Sequence, residues 1–66
     1  MKVVANGIWV VNIADDYSWA TVYGRYASVE QANAYGAPAE GDYDEYHTRW
    51  LHEGEALPDV PVLYGL

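Results

Sequence analysis

The densest group of residues that could take part in binding lies in residues 40–46, which we call the acidic segment. Four acids fall within six residues there, and two phenol rings are interleaved with them. Carboxylates accept both arms of a guanidinium group, and aromatic rings attract cations to their faces. We therefore expect this segment, with the nearby Trp50 ring, to bind Lys or Arg side chains of a partner protein. The candidate binding residues are Glu40, Asp42, Tyr43, Asp44, Glu45, Tyr46 and Trp50.

These residues also have simpler interpretations. The acids can form a solvated loop, or they can imitate the phosphate spacing of a nucleic acid. Trp50 can be an interface residue, because Trp, Tyr and Arg are enriched among binding hot spots. It can equally be the main core ring beneath a helix.

The two histidines do not indicate a metal site. His47 and His52 are five residues apart, which puts their rings on opposite sides of a strand and matches neither helical spacing. Zinc needs three or four converging ligands. We expect no metal and no other cofactor.

The chain offers little for catalysis. It has no Cys, and Ser18 and Ser28 fall at predicted turn and cap positions. The Asp15–Asp16 pair is typical of a turn, because Asp side chains bond to nearby backbone groups. A chain of 66 residues seldom encloses a water-excluding pocket. We predict that the protein is not an enzyme.

Length and charge limit the partners. Residues 1–66 are expected to form one domain, with a core built from its three Trp and seven Tyr. The net charge of −7 argues against direct binding of nucleic acid and of anionic membranes. No apolar stretch approaches membrane-spanning length, and no targeting signal is recognised, so we expect a cytoplasmic protein. With no disulfide to stabilise so small a core, a homodimer is a further expectation.

The first half of the chain predicts strand, turn, strand and helix. Residues 8–14 are apolar on both alternating sets, which is typical of a central strand. Residues 15–17 form a turn, and residues 18–26 form a second strand in which Gly24 marks a bulge or a close approach of the helix. Alternation places Tyr26 on the face of Ala20. A shorter hairpin about Asn6-Gly7 is an alternative register.

A short helix follows the second strand. Ser28 is a good N-cap and Gln31 completes a capping box, while Gly36 supplies the stop. Val29, Ala32 and Tyr35 are expected to lie on the sheet.

The second half predicts a loop over residues 37–44, a third strand over residues 45–52 and a tail. A short helix over 45–52 is an alternative. Pro58 and Pro61 exclude a central strand from the tail, so residues 60–64 should lie at an edge or over the core. The predicted fold is a two-layer α+β domain in ββαβ order, a small antiparallel sheet with one short helix on one face.

Residues 8–35 resemble a known pattern. The hairpin followed by Tyr-Gly-Arg-Tyr-Ala-Ser-Val-Glu-Gln-Ala-Asn-Ala-Tyr is similar to small accessory proteins of phages that infect actinobacteria. The resemblance covers about half of the chain and brings no catalytic motif. It implies an accessory protein that contacts a host protein in the host cytoplasm.

Three functions remain open from the sequence. The first is a protein-binding module that uses the acidic segment and Trp50. The second is a nucleic-acid mimic that blocks a DNA-binding protein. The third is a homo-oligomeric structural or assembly protein.

Overall fold

A computed structural model of the protein describes residues 2–41 and 46–64, with the backbone alone at Tyr46. It contains four strands and one helix. These are β1 (Ile8–Ala14), β2 (Ala20–Tyr26), α1 (Val29–Ala34), β3 (Tyr46–His52) and β4 (Val62–Leu63). The predicted α+β fold is confirmed, and residues 46–52 are strand rather than helix.

The strands form one mixed sheet in the order β3-β1-β2-β4. β1 is central, as its two apolar faces predict, and pairs antiparallel with both β2 and β3. The sheet is not wholly antiparallel, because β4 adds to β2 in the parallel direction. The hairpin about Asn6-Gly7 does not form, since Val3 bridges to Ala56 after β3.

The β1–β2 pairing contains a bulge next to Gly24. Val11 pairs with Val22, and the following pair joins Val10 to Gly24, so Tyr23 is skipped in the register. A bulge inserts one residue into one strand and reverses the alternation of the side chains beyond it. The bulge expected at Gly24 is therefore confirmed.

The bulge reverses the faces of the sheet on which the last side chains of β2 lie. Arg25 shares the face of Val22, and its guanidinium lies over the Trp9 ring. Tyr26, expected on that face, instead turns to the other side of the sheet. Its ring covers Gly24 so closely that a Cβ there would lie 2.5 Å from the Tyr26 hydroxyl.

One face of the sheet carries the main core cluster. Val11, Ile13 and Val22 pack there against Val4 and Leu57, which come from the segments before β1 and after β3. Segments without regular secondary structure therefore cover this face, and one of them is the predicted tail. β4 holds the tail at the sheet edge, as the two prolines predict.

The helix covers the opposite face. It packs against β2 and buries Ala32. The Tyr35 ring after the helix stacks on Tyr26 with the centroids 6.1 Å apart. The apolar residues of β1 on this side are buried outside the main cluster; they are Ile8, Val10 and Ala14.

Both ends of α1 agree with the sequence. The Ser28 hydroxyl accepts a hydrogen bond from the Gln31 N–H at 3.1 Å. The Gln31 side chain accepts from the Ala27 N–H at 2.6 Å, one residue before the usual capping-box donor. Gly36, at φ +75°, follows the last turn.

The predicted packing face of α1 is buried at only one of its three residues, although the exposed Tyr35 ring still stacks on Tyr26 of the sheet. Val29 is 41% exposed and Tyr35 is 71% exposed. A helix of six residues presents little more than one position to the sheet, and Ala32 takes it. Its small side chain lets the helix backbone approach β2 closely.

Candidate binding surfaces

Both ends of the acidic segment are attached to β3. The Glu40 carboxylate accepts a hydrogen bond from the Trp50 backbone N–H at 3.1 Å. The Gly41 N–H donates to the Thr48 carbonyl at 2.8 Å. Tyr46, at the other end, is the first residue of β3. The described residues at both ends of the segment are therefore held on the outer edge of the sheet.

The centre of the acidic segment lies outside the described residues. This applies to Asp42, Tyr43, Asp44 and Glu45, and to the side chain of Tyr46. Their predicted contact with a basic partner stays a prediction.

Acidic side chains also occupy the open edge of β3. The His52 N–H donates to the Glu55 carboxylate at 2.6 Å, in addition to the bond between Glu40 and the Trp50 N–H. Together with the Gly41–Thr48 bond, these contacts satisfy backbone groups that point away from β1. Unpaired edge groups invite another strand, so this arrangement counts against a homodimer that pairs through β3.

Trp50 is partly buried and anchored inside the chain. Its indole N–H donates to the Pro38 carbonyl at 2.8 Å, and its partner on β1 is the fully buried Val10. The ring therefore lies between the sheet and the loop that follows α1. Trp50 is therefore not the main core ring beneath the helix, and its partly buried ring leaves some surface for a partner.

The described acids are spread over the surface. Seven of the ten acids are described, and they lie in five places: the β1–β2 turn, α1, the edge of β3, the turn after β3, and the tail. No place among residues 2–41 and 46–64 holds more than two of them. A nucleic-acid mimic needs a regular row of carboxylates, and the described acids do not form one by themselves; Asp42, Asp44 and Glu45 lie outside the described residues, so this function stays a prediction.

A small polar cluster lies where β1 turns into β2. His47 Nε2 and the Asp15 carboxylate are 3.1 Å apart, and the Tyr17 ring stacks on the imidazole with centroids 5.9 Å apart. Tyr17 has φ +58°, an uncommon conformation for a bulky residue, and the stacking helps to hold it. In the described part of the chain, no group of three His, Cys, Asp or Glu side chains could hold a metal.

Asp16 shapes the same turn. Its carboxylate accepts hydrogen bonds from the Ser18 hydroxyl at 2.7 Å and from the Ser18 N–H at 3.1 Å. These bonds, the hydroxyl first, lower the pKa of Asp16 below its usual value. The predicted role of the Asp pair as a turn element is consistent with this geometry.

Three side chains that no sequence pattern had grouped together are in contact in the structure. The Arg25 guanidinium lies 5.4 Å from the centre of the Trp9 ring. Tyr64, from the tail, meets Trp9 edge to face at 6.2 Å. The signal in the sequence was Gly24, because a bulge there turns Arg25 towards Trp9.

Comparisons of the chain with protein-family models, curated proteins and solved structures found no match. The resemblance to phage proteins therefore stays a prediction. Across residues 2–41 and 46–64, no helix has the length and apolar character needed to cross a membrane. The function must be argued from the surfaces of the chain itself.

Proposed function

We propose that the protein is a non-enzymatic protein-binding module that engages basic side chains of a partner through the acidic segment. The attachment of Glu40 and Gly41 to the edge of β3 is the observation that supports this most. Glu40 and Gly41 are held in place before a partner arrives, and groups that are already held lose less conformational freedom on association. Function is often carried by loops positioned in this way.

Charge near the segment supports the same proposal. Tyr46 pairs with Ala14, the last residue of β1, so the exposed Asp15 and Asp16 follow at the same end of the sheet. The net charge of −7 attracts a basic partner from a distance and raises the rate of encounter. Specific contacts then come from the carboxylates and rings of residues 40–46.

The resemblance to small phage proteins suggests the setting. If it reflects descent, the partner is a host protein in the host cytoplasm. The proposal about the acidic segment does not depend on that origin.

Two variants of equal charge test the proposal. The first neutralises the acidic segment, and the second neutralises three acids elsewhere; each changes the net charge from −7 to −7 + 3 = −4. The segment variant is Asp42→Asn, Asp44→Asn and Glu45→Gln, and the matched control is Glu30→Gln, Glu53→Gln and Asp59→Asn.

Both variants and the wild type are titrated with a short oligo-arginine peptide and followed by amide NMR. We expect the wild type and the control to shift most at Gly41, His47 and Thr48. The segment variant should bind about tenfold more weakly, because charge-assisted bonds are lost. Equal weakening of both variants would show that only the overall charge matters and would overturn the proposal.

A further inference from the structure

We propose that Arg25, held on the Trp9 ring, is a carboxylate-binding anchor for an extended acidic peptide of a partner. This surface is separated from the acidic segment by β1, because Glu40, Gly41 and Tyr46 meet the sheet at β3 whereas Arg25 lies on β2. It is therefore distinct from the surface on which the proposed function depends.

The Arg25 side chain is held in place by its neighbours. The bulge puts it directly opposite Trp9 in the register, with the guanidinium 5.4 Å from the ring centre. Trp9 is itself packed against the core cluster and against Tyr64. Bulges are common beside binding sites because they redirect a side chain. Less side-chain freedom remains to be lost when a ligand binds.

The hydrogen-bond donors of Arg25 are not used within the described part of the chain. The side chain is exposed and makes neither an ion pair nor a hydrogen bond there; its only contact of this kind is with the Trp9 ring. Acids outnumber basic residues ten to three in the sequence. A guanidinium group offers five donors in a planar fork that matches a carboxylate. The Arg25 guanidinium is therefore held in place and has its hydrogen-bond donors available for a carboxylate.

A groove lies beside this anchor. It measures about 460 Å³, within the range of ligand sites in proteins. Arg25 is its one charged lining residue, whereas two grooves along the tail each combine Asp59 with a basic residue, Lys2 in one and Arg49 in the other. The remaining walls are small or aromatic and are formed by Ala5, Asn6, Gly7, Trp9, Tyr26 and Ala27.

These walls fit an extended peptide that carries a carboxylate. The small side chains of Ala5 and Ala27 allow a peptide backbone to come close. The Asn6 amide can donate and accept hydrogen bonds, and the rings of Trp9 and Tyr26 give apolar contact area. Nucleic acid is a poorer occupant, because its phosphate backbone needs several clustered cations and Arg25 is the one charged residue that lines the groove.

The test uses a blocked peptide of alternating glutamate and leucine, with a glutamine-leucine peptide of the same length as control. Binding is followed by NMR at the Trp9 indole N–H and the Arg25 side-chain N–H. The variants are Arg25→Gln, Arg25→Lys and, as a matched control, Arg49→Gln, which removes the other exposed arginine. Amide spectra report whether each variant is folded.

We expect the glutamate peptide to shift both signals and the glutamine peptide to bind at least about tenfold more weakly. Arg25→Gln should lose this preference, Arg25→Lys should keep part of it, and Arg49→Gln should keep all of it. Equal binding of the two peptides, or equal loss in Arg49→Gln, would overturn the proposal. The segment variant should bind the glutamate peptide no more weakly than the wild type, so failure here is separable from failure of the proposed function.

Discussion

Gly7, the residue before β1, allows the chain to pass close to the backbone of β2. It has φ +65°, and a Cβ at this position would lie 2.3 Å from the Tyr26 carbonyl oxygen. Gly36 has a similar φ of +75°, but a Cβ there would meet nothing within 4 Å. The two glycines share the left-handed backbone and differ in the space around them.

This difference predicts unequal effects on stability. We expect Gly36→Ala to lower the free energy of unfolding by about 1–2 kcal/mol, the cost of the left-handed conformation alone. Gly7→Ala should lower it by about 1–3 kcal/mol more, because the backbone of β2 must move. Urea unfolding of both variants measures this. Equal losses in the free energy of unfolding would show that the backbone of β2 moves aside at no cost in stability, which would contradict this account.

Asp16 gives a prediction about pH at the same scale. Its pKa is lowered in the folded state by the Ser18 hydroxyl and N–H, so its charge stabilises the fold above the unfolded pKa, about 3.8. That contribution is lost as the pH falls through the lower, folded pKa. Asp16→Asn keeps an acceptor oxygen and removes the charge. Its deficit in unfolding free energy should be present at pH 7 and shrink towards pH 2, as urea unfolding across about pH 2–7 would show. A deficit that is independent of pH would contradict this account.

At the scale of elements, the edge of β3 is protected by two carboxylates. Glu40 accepts from the Trp50 N–H and Glu55 accepts from the His52 N–H. Replacing both acids with alanine leaves these donors open to a strand of another copy. We expect Glu40→Ala with Glu55→Ala to self-associate as concentration rises, and Glu53→Ala with Asp59→Ala, which loses the same charge, to do so less.

Sedimentation velocity over a range of concentrations measures the difference. If the two double variants associate equally, the loss of charge alone is responsible and the carboxylates do not protect the edge.

The strands and the helix ends were predictable because their signals are local. Two apolar faces marked β1 as central, and Ser28 and Gly36 marked the ends of α1. The parallel pairing of β4 was not predictable. It spans two residues, too few for any periodic pattern, and joins parts of the chain that are far apart in sequence.

The candidate surfaces were predictable only in part. The acids of residues 40–46 are visible in the sequence, but the bond from the Trp50 N–H to Glu40 depends on how the loop returns to β3. The Arg25–Trp9 contact depends on the bulge. Without it, Trp9 would face Gly24, because strand pairing advances one residue at a time.

At the scale of the whole molecule, the two proposed surfaces meet different strands of the sheet and carry opposite local charge. Glu40, Gly41 and Tyr46 meet the sheet at β3, and Asp15 and Asp16 follow β1 beside Tyr46. Arg25 lies on β2 and borders a groove. A chain of 66 residues could in this way contact two partners, or two sites on one partner. A domain this small has little stability to spare, so each variant needs a check of folding before its binding is interpreted.

The most direct test of the central claim is capture from host or source cell lysate, treated with nuclease and quantified by mass spectrometry. The baits are the wild type, the segment variant and the control variant of equal charge. The account predicts a basic protein that is retained by the wild type and the control and is lost from the segment variant. Equal retention by all three baits would contradict the claim that residues 40–46 form the binding surface.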